Sequence, residues 1–358
     1  MPGEEHDRRD LDRDHAHPLP RHLGHPQIMG HAPEVAKGSA RSDAPAAMDY
    51  AQRKTTPSTI LPLRLLACIW RQAARTPRCP DTPRLDGKLA MVTGGNAGIG
   101  REIARGLAKR GAEVIVAARN AETAKAACES IAAETGALVR HLPLDLARLG
   151  SVVEATERLR ELSGARPVDV LVANAGIWPQ ERATSTEGHE LAFAVNTLAH
   201  HVLVRRMLAQ KQLRGRLVVL TGDIYIRASE CTSDFSYEGP SGGALAYCRS
   251  KLGNLWFVRE LGARHPELEV VAVHPGVVES GLGGGAGPPA LIRGAIMIGC
   301  EAGAQAPLFC ATQPNLERGG YYHNTMGLVR LPASDPAMDA AKAAALWARL
   351  EELARDFV

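Results

Sequence analysis

The sequence predicts an α/β fold: a doubly wound, mostly parallel sheet with helices on both faces, forming a single catalytic domain. Short apolar segments of strand length alternate with longer segments of helical periodicity from about residue 85 onwards, which is typical of a parallel sheet with helical crossovers. A glycine-rich segment follows the first apolar segment and leads directly into the first helix. In such a fold, ligands bind beyond the carboxyl ends of the strands.

Composition excludes some classes of function. The chain is 45% hydrophobic and 23% charged, with a small formal net charge of +3. It has no basic stripe with interleaved aromatic residues, so nucleic-acid binding is not expected. The seven cysteines are scattered and form no C-x-x-C pair. We therefore expect reduced, mostly buried thiols, no metal site and a cytoplasmic location.

The chain begins with a segment that differs from the rest. Residues 1–47 are rich in His, Arg, Asp and Pro, and six of the thirteen histidines fall between His6 and His31. This composition predicts a disordered leader, with a metal-binding tail as the less favoured alternative. A further hypothesis is that Met48 is the true start and that the leader is not translated.

Residues 48–84 are predicted to form an N-terminal extension with one apolar segment. That segment begins at Ile60, ends at Trp70, and contains Pro62 and Arg64. It is too short to cross a bilayer, which needs about 20 apolar residues. Two placements remain: contact with a membrane surface, which would make the protein membrane-associated, or packing on the domain as a short helix.

The main domain is assigned to residues 85–325, and residues 326–358 to a C-terminal tail with a helix. Within the domain we predict strands at residues 88–93, 112–118, 138–144, 168–173, 216–220 and 269–273. The first helix is predicted to end at residue 110, and the next three to span 122–135, 149–162 and 187–213. A fifth helix is predicted to carry Tyr247 and Lys251.

The glycine-rich segment indicates a Rossmann-type dinucleotide site. It places Gly94, Asn96, Gly98, Ile99 and Gly100 between the first strand and the first helix. Glycines let the backbone approach a pyrophosphate, and the helix N-terminus offers unpaired N–H groups and partial positive charge. Strand, loop, helix and second strand in this order make the motif specific.

The end of the second strand favours NADP over NAD as the cofactor. A carboxylate there would bind the adenosine ribose and repel a 2′-phosphate, but this chain has Arg119, which can pair with a phosphate. An exposed arginine without this role, with NAD as the cofactor, is the alternative. Asp145, at the end of the third strand, is placed to reach the adenine.

Tyr247 and Lys251 lie four residues apart and so share one face of a helix. A phenol alone has a pKa of about 10, and an ammonium held close to it lowers that pKa. The pair can therefore exchange a proton with a carbonyl or alcohol oxygen. Asn196, in the middle of a predicted helix, is neutral to unfavourable there unless its side chain or backbone has a task.

The chain resembles the short-chain dehydrogenase/reductase family from about residue 85 to about residue 322. Within the family, the chain most resembles the retinol-dehydrogenase-like branch. The features that indicate this branch are residues 245–254, the long insertion before them, and residues 301–305. The motifs that carry the resemblance are the glycine loop, Asn174-Ala175-Gly176, Asn196, the Tyr247–Lys251 pair and Pro275-Gly276.

The resemblance implies roles for these residues. Tyr247 would be the general acid/base, Lys251 would hold the nicotinamide ribose and lower the tyrosine pKa, and Asn196 would position a water in a proton relay. Asn174, Ala175, Gly176, Pro275 and Gly276 would border the cofactor. The substrate would be an alcohol or carbonyl compound, and hydride would pass directly between it and the nicotinamide.

One position departs from the family pattern. The family carries a serine 25 residues before the tyrosine in this branch, and this chain has Gly222 there. Either Thr221 or Asp223 supplies the missing oxygen, or the oxyanion contact is weaker, or the protein binds cofactor with little turnover as a sensor or scaffold. Losing one such contact commonly lowers the rate about a hundredfold or more.

The segment after the sixth strand is predicted to cover the substrate. Residues 280–287 are glycine-rich, which is typical of a lid, although a flexible linker has the same composition. Leu282, Ile292, Ile296, Met297 and Ile298 make it apolar, so we expect a small lipophilic substrate. Homologous folds pair through their long helices, so a homo-oligomer is expected by analogy.

Overall fold

Eight strands form one sheet in this computed structural model, which describes residues 61–74, 76–237, 242–282 and 296–358. The strands are β1 (Leu89–Thr93), β2 (Glu113–Ala118), β3 (Val139–Pro143), β4 (Val168–Ala173), β5 (Leu213–Leu220), β6 (Glu269–His274), β7 (Tyr321–His323) and β8 (Gly327–Val329). Their spatial order is β3-β2-β1-β4-β5-β6-β7-β8. All neighbours pair in parallel except β7 and β8, so the predicted fold class is confirmed.

The helices of the described residues cover both faces of the sheet. They are α1 (Leu61–Ala74), α2 (Gly98–Lys109), α3 (Ala121–Thr135), α4 (Leu149–Leu162), α5 (Leu191–Phe193), α6 (Ala199–Ala209), α7 (Gly242–Arg264), α8 (Cys300–Thr312) and α9 (Ala340–Ala354). Alternate residues of β1 enter opposite apolar clusters: Leu89 and Met91 pack towards α4, α6, α7 and α9, while Ala90 and Val92 pack towards α2, α3 and α8.

The helix predicted at residues 187–213 is shorter and irregular. It begins at Leu191, because the Glu190 carboxylate accepts hydrogen bonds from the N–H groups of Ala192 and Phe193. It ends at Ala209, and β5 starts at Leu213, three residues earlier than predicted. A π-helical turn, Ala194–Leu198, separates α5 from α6. Such turns frequently mark functional sites.

The C-terminal tail belongs to the same core as the rest. The predicted boundary after residue 325 divides β7 from β8, which pair with each other. In α9, the Trp347 ring stacks on Phe257 of α7 with centroids 6.1 Å apart. Trp256 donates a hydrogen bond to the carbonyl of Pro336, just before α9.

The apolar segment ahead of the domain forms α1, which packs on the domain. Gln72 is buried, and its amide donates to the carbonyls of Val277 (3.2 Å) and Ile296 (2.7 Å). Its amide oxygen accepts from the Val277 N–H. The leader, Met48 and Ile60 lie outside the described residues. Within the described part of the chain, no helix is long and apolar enough to cross a membrane.

Candidate active site

The glycine loop after β1 has a shape that only glycine tolerates. Gly94 and Gly98 have φ of +65° and +55°, in the left-handed region. A Cβ on Gly100 would lie 2.3 Å from the Gly94 carbonyl oxygen. Ala97 precedes α2, which has neither a side-chain cap nor an acidic first turn. The helix N–H groups are therefore suited to a pyrophosphate, while Ile99 packs partly buried beneath the loop.

Asn174 holds this loop in place. Its side-chain amide donates to the Thr93 carbonyl (2.8 Å), and the Thr93 hydroxyl accepts from the backbone N–H groups of Asn174 and Ala175, both at 3.0 Å. The same hydroxyl lies 3.0 Å from Nε2 of His200, which sequence reasoning did not identify. Burial lowers the pKa of His200 to about 4, so this imidazole is neutral at pH 7.

Two of the predicted catalytic residues, Asn196 and Lys251, lie together beside Gly176. A Cβ at this glycine would lie 3.3 Å from Asn196 Oδ1 and 3.4 Å from Lys251 Nζ. A larger residue would therefore press on both groups. The glycine of the Asn-Ala-Gly motif thus allows the end of β4, α7 and the π-helical turn to approach each other closely.

Asn196 has the structural task that its position predicts. Its carbonyl oxygen accepts from the Ile177 N–H (2.8 Å), and its amide donates to the Ile177 carbonyl (3.0 Å) and to Ser250 Oγ (2.9 Å). The Ser250 hydroxyl donates to the Tyr247 carbonyl (2.8 Å). Asn196 therefore fixes the segment after β4 against the turn of α7 that carries the tyrosine.

Burial opposes charge on both members of the Tyr247–Lys251 pair. It raises the pKa of the Tyr247 phenol and lowers the pKa of Lys251 to about 8. The Lys251 ammonium donates to the Leu220 carbonyl (3.2 Å) and lies 5.4 Å from the centroid of the tyrosine ring. Desolvation thus opposes the lowering of the tyrosine pKa that the lysine was expected to produce, and the role of Lys251 stays a prediction.

Trp178 is a further member of the site. Its ring lies parallel to that of Tyr247, with centroids 4.8 Å apart and an interplanar angle of 1°. This stack covers one face of the phenol and leaves less freedom for the ring to move. Trp178 was not identified from the sequence, although an aromatic residue two positions after the Asn-Ala-Gly motif could have indicated it.

Gly222 lies at the end of β5 in extended backbone, where any residue fits. Its φ and ψ are −159° and 142°. A Cβ built there would first meet Ile224 Cγ2 at 3.8 Å and His274 Nδ1 at 3.9 Å, both ordinary contacts. The structure therefore leaves room for the serine that the family pattern places at this position.

The two candidate replacements have buried partners of their own. The Thr221 hydroxyl donates to the Lys251 carbonyl (2.8 Å), which directs it at the backbone of α7. One Asp223 oxygen accepts from the Tyr321 hydroxyl (2.5 Å), and the other lies 3.2 Å from His323 Nε2. We assign a catalytic role to neither Thr221 nor Asp223.

The residues predicted to select the cofactor lie near the ends of β2 and β3. Arg119 is exposed directly after β2, and no ion pair involves it among the described residues. Asn96 donates to the Thr123 hydroxyl (2.9 Å), which links the glycine loop to α3. Asp145 is half-buried, and one of its oxygens accepts from the Ala147 N–H (3.0 Å).

The turn after β6 meets α1. Gly276 has φ of +100°, and a Cβ there would lie 2.4 Å from Asn324 Nδ2 and 2.9 Å from Gln72 Oε1. Pro275 before it is buried. The following segment reaches the glycine loop, since the Ser280 carbonyl oxygen would be 3.6 Å from a Cβ at Gly98. Residues 283–295, including Ile292 and most of the predicted lid, lie outside the described residues.

Comparison with known proteins gives results that agree with this geometry. The family described as short chain dehydrogenase matches residues 88–288. Retinol dehydrogenase 13 of Mus musculus is 32% identical over 295 residues, covering 77% of this chain and 87% of the relative. Retinol dehydrogenase 14 of Homo sapiens is 31% identical over 302 residues, covering 76% and 88%.

A solved structure also matches. It is a short chain dehydrogenase from Burkholderia cenocepacia J2315 in complex with NADP, with 26% sequence identity and a TM-score of 0.55. The match covers 67% of this chain and 97% of that one.

Proposed function

The chain belongs to the short-chain dehydrogenase/reductase family, in its retinol-dehydrogenase-like branch, and from this premise we propose a specific reaction. The protein transfers a hydride between NADP(H) and the carbon of a lipophilic alcohol or carbonyl compound. The observation that supports this most strongly is the convergence beside Gly176 of Asn196 and Lys251, next to a glycine loop suited to a pyrophosphate.

The nicotinamide supplies or takes the hydride when it is bound. Tyr247 gives a proton to the carbonyl oxygen in reduction and takes it back in oxidation. The phenol is protonated at neutral pH and so has the proton to give, while burial raises its pKa and makes it a weaker acid. Lys251 holds the ribose and brings positive charge to the site, while Asn196 keeps the tyrosine's turn of α7 in position.

The preference for NADP is attributed to Arg119. It is exposed at the end of β2, where an acidic residue would favour the unphosphorylated ribose. Its guanidinium can pair with the 2′-phosphate in bidentate fashion. The solved relative from Burkholderia cenocepacia was determined in complex with NADP.

Trp178 and the segment after β6 support a lipophilic substrate. The Trp178 ring covers Tyr247, and Ile296, Met297 and Ile298 are only half-buried beside the residues assigned to the lid. An apolar ring next to the acid/base excludes water from one side of the reacting oxygen. Retinol dehydrogenases are among the relatives that this chain resembles.

The proposal is tested by measuring NADPH oxidation with a panel of aldehydes and ketones of increasing apolar size. We expect turnover with NADPH, a higher kcat/KM for the larger apolar substrates, and weaker turnover with NADH. Tight NADPH binding with no turnover on any substrate would contradict the assigned reaction and favour a binding role.

Cofactor choice is tested separately with Arg119→Asp. We expect NADPH affinity to fall at least tenfold, because a repelling charge replaces a phosphate partner, and NADH affinity to change little. The matched control is Arg318→Asp, an exposed arginine before β7 at the opposite edge of the sheet. A wild-type preference for NADH, or equal losses in both variants, would remove Arg119 from cofactor selection.

A further inference from the structure

A second cluster of reactive side chains lies buried behind the carboxyl edge of the sheet. Cys68 comes from α1, Asp223 follows β5, and His274 and His323 end β6 and β7. Their exposed fractions are 1%, 2%, 5% and 0%, and one ligating atom from each lies within 4.8 Å of all the others. We propose that these four residues bind a structural zinc ion.

Two of the separations are close to those of a zinc tetrahedron, and the widest has to shorten when the ion binds. Cys68 Sγ lies 3.8 Å from His274 Nε2, and His323 Nε2 lies 3.2 Å from Asp223 Oδ2. Zinc bonds of about 2.0–2.3 Å place neighbouring tetrahedral ligands about 3.3–3.5 Å apart. The widest separation, 4.8 Å, therefore has to close by roughly 1 to 1.5 Å when the ion enters. One thiolate, two imidazoles and one carboxylate are a donor set that selects zinc.

Neighbouring groups orient two of the four ligands. The Tyr321 hydroxyl donates to Asp223 Oδ1 (2.5 Å), and Asp223 Oδ2 lies on the side of His323 Nε2, at 3.2 Å. His323 Nδ1 lies 3.3 Å from the Thr325 hydroxyl oxygen, an acceptor for the ring N–H when Nε2 binds zinc. The Thr325 backbone N–H donates to the same nitrogen (3.2 Å), which favours the other tautomer, so zinc binding at Nε2 breaks this hydrogen bond. Such outer contacts fix the tautomer and direction of metal ligands.

The proposed ion has a structural task and no place in the reaction. Protein groups fill all four positions, so no site is open for water or substrate, which is the mark of a structural zinc. The ion would link α1 to the ends of β6 and β7 and to the residue that follows Gly222. It would also offset the negative charge of a buried carboxylate and thiolate.

The test uses the full chain, stripped with a chelator and titrated with Co²⁺. We expect one tetrahedral cobalt per chain with a thiolate-to-cobalt charge-transfer band in the near ultraviolet, and loss of that band on adding zinc. Any cobalt held by the histidines of residues 1–47 gives no thiolate band, because that segment has no cysteine. Zinc should also raise the melting temperature of the stripped protein.

Cys68→Ser should abolish the band, because it removes the one thiolate among the four ligands. The variant should keep the sheet intact, because α1 lies outside the residues matched by the family. Cys310→Ala is the matched control: a fully buried cysteine far from the cluster, whose change should leave the band in place. A wild-type protein without the band, or a band that persists in Cys68→Ser, overturns the proposal and makes the cluster a hydrogen-bonded one. If Cys68→Ser does not fold, the wild-type spectrum and its displacement by zinc decide the question.

Discussion

Gly222 has space for a side chain but lacks the hydroxyl of the serine that the family pattern places at this position. A Cβ there makes only ordinary contacts, at 3.8 Å and beyond, so Gly222→Ser should fold normally. The new hydroxyl can donate to the substrate oxygen as charge develops on it, a contact stronger in the transition state than in the ground state. We predict that kcat rises about tenfold or more with a smaller change in KM, measured by steady-state NADPH oxidation.

Gly222→Ala is the matched control, since it adds the Cβ without the hydroxyl. It should leave kcat near the wild-type value. A sharp fall in both variants would mean that the substrate needs the space at Gly222. An equal rise in both would show that the hydroxyl is not the cause.

His200 should make the free energy of unfolding depend on pH, and its contribution can be measured separately. Burial lowers its pKa from 6.5 to about 4 in the folded chain, so acidification between these values protonates the unfolded chain first and favours unfolding. The free energy of unfolding should fall by about 3 kcal/mol through this group as pH drops from 6.5 to 4, because one pKa unit is worth about 1.4 kcal/mol.

Denaturant titrations of wild type and His200→Gln at several pH values test this linkage. Glutamine keeps a polar partner for the Thr93 hydroxyl but does not titrate. Other groups titrate alike in both proteins, so the difference between the two profiles belongs to His200. The variant should lose about 3 kcal/mol less across that range; parallel profiles would show that the imidazole takes up its proton without unfolding.

Helix α1 has two faces with different tasks. Cys68 and Gln72 are buried against the domain, whereas Leu63, Leu66 and Trp70 are 54%, 62% and 74% exposed. The exposed residues are three and four positions apart, so they form one apolar stripe. An amphipathic helix of this kind is suited to the surface of a bilayer, and we predict that the protein sediments with phospholipid vesicles.

The triple change Leu63→Gln, Leu66→Gln and Trp70→Gln should weaken vesicle binding at least tenfold, because each buried apolar side chain contributes about 1.5 kcal/mol or more. Leu138→Gln is the control, since Leu138 is 56% exposed next to β3 and away from α1. Failure of the wild type to sediment, or an equal loss with Leu138→Gln, would remove the stripe from membrane contact.

The elements with clear periodicity were predicted closely, and the irregular ones were not. The spans of β4 and α4 agree with the sequence prediction to the residue. The helix around Asn196 was predicted as continuous, because periodicity cannot reveal a π-helical turn that inserts one residue into the hydrogen-bond ladder. For Ile60–Trp70 the sequence left two placements. The tertiary contacts of Gln72 show that one face of α1 packs on the domain, and membrane contact through the other face stays a prediction.

At the scale of the whole molecule, the alternation of strand and helix segments along the sequence predicts the sheet. The proposed zinc cluster depends on contacts between segments that are far apart in the sequence. Parallel pairing of β1 to β6 follows from alternating strands and helices, whereas the short strands β7 and β8 were not predicted. The motifs of the active site could be found because each has fixed internal spacing, as in Tyr247 and Lys251. Cys68 and His323 share no spacing, and only the folded chain brings them together.

Electrostatics of the site also belong to the whole molecule. The lysine four residues from Tyr247 predicted a lowered pKa, yet burial raises it. Spacing along a helix gives the neighbour, but the surrounding protein determines how strongly both charged forms are desolvated. The roles proposed for Tyr247, Lys251 and Asn196 stay predictions until kinetics separates binding from proton transfer.

The most direct test of the proposed reaction uses NADPH that carries deuterium at both C4 positions of the nicotinamide and follows the label into the product alcohol, in wild type and Tyr247→Phe. We predict one deuterium on the former carbonyl carbon in wild type. In the variant we predict transfer at least a hundredfold slower, with NADPH affinity nearly unchanged. Tyr322→Phe, a buried tyrosine in β7, should transfer at the wild-type rate. Near-normal transfer in Tyr247→Phe, or no deuterium in the wild-type product, would contradict the proposed reaction.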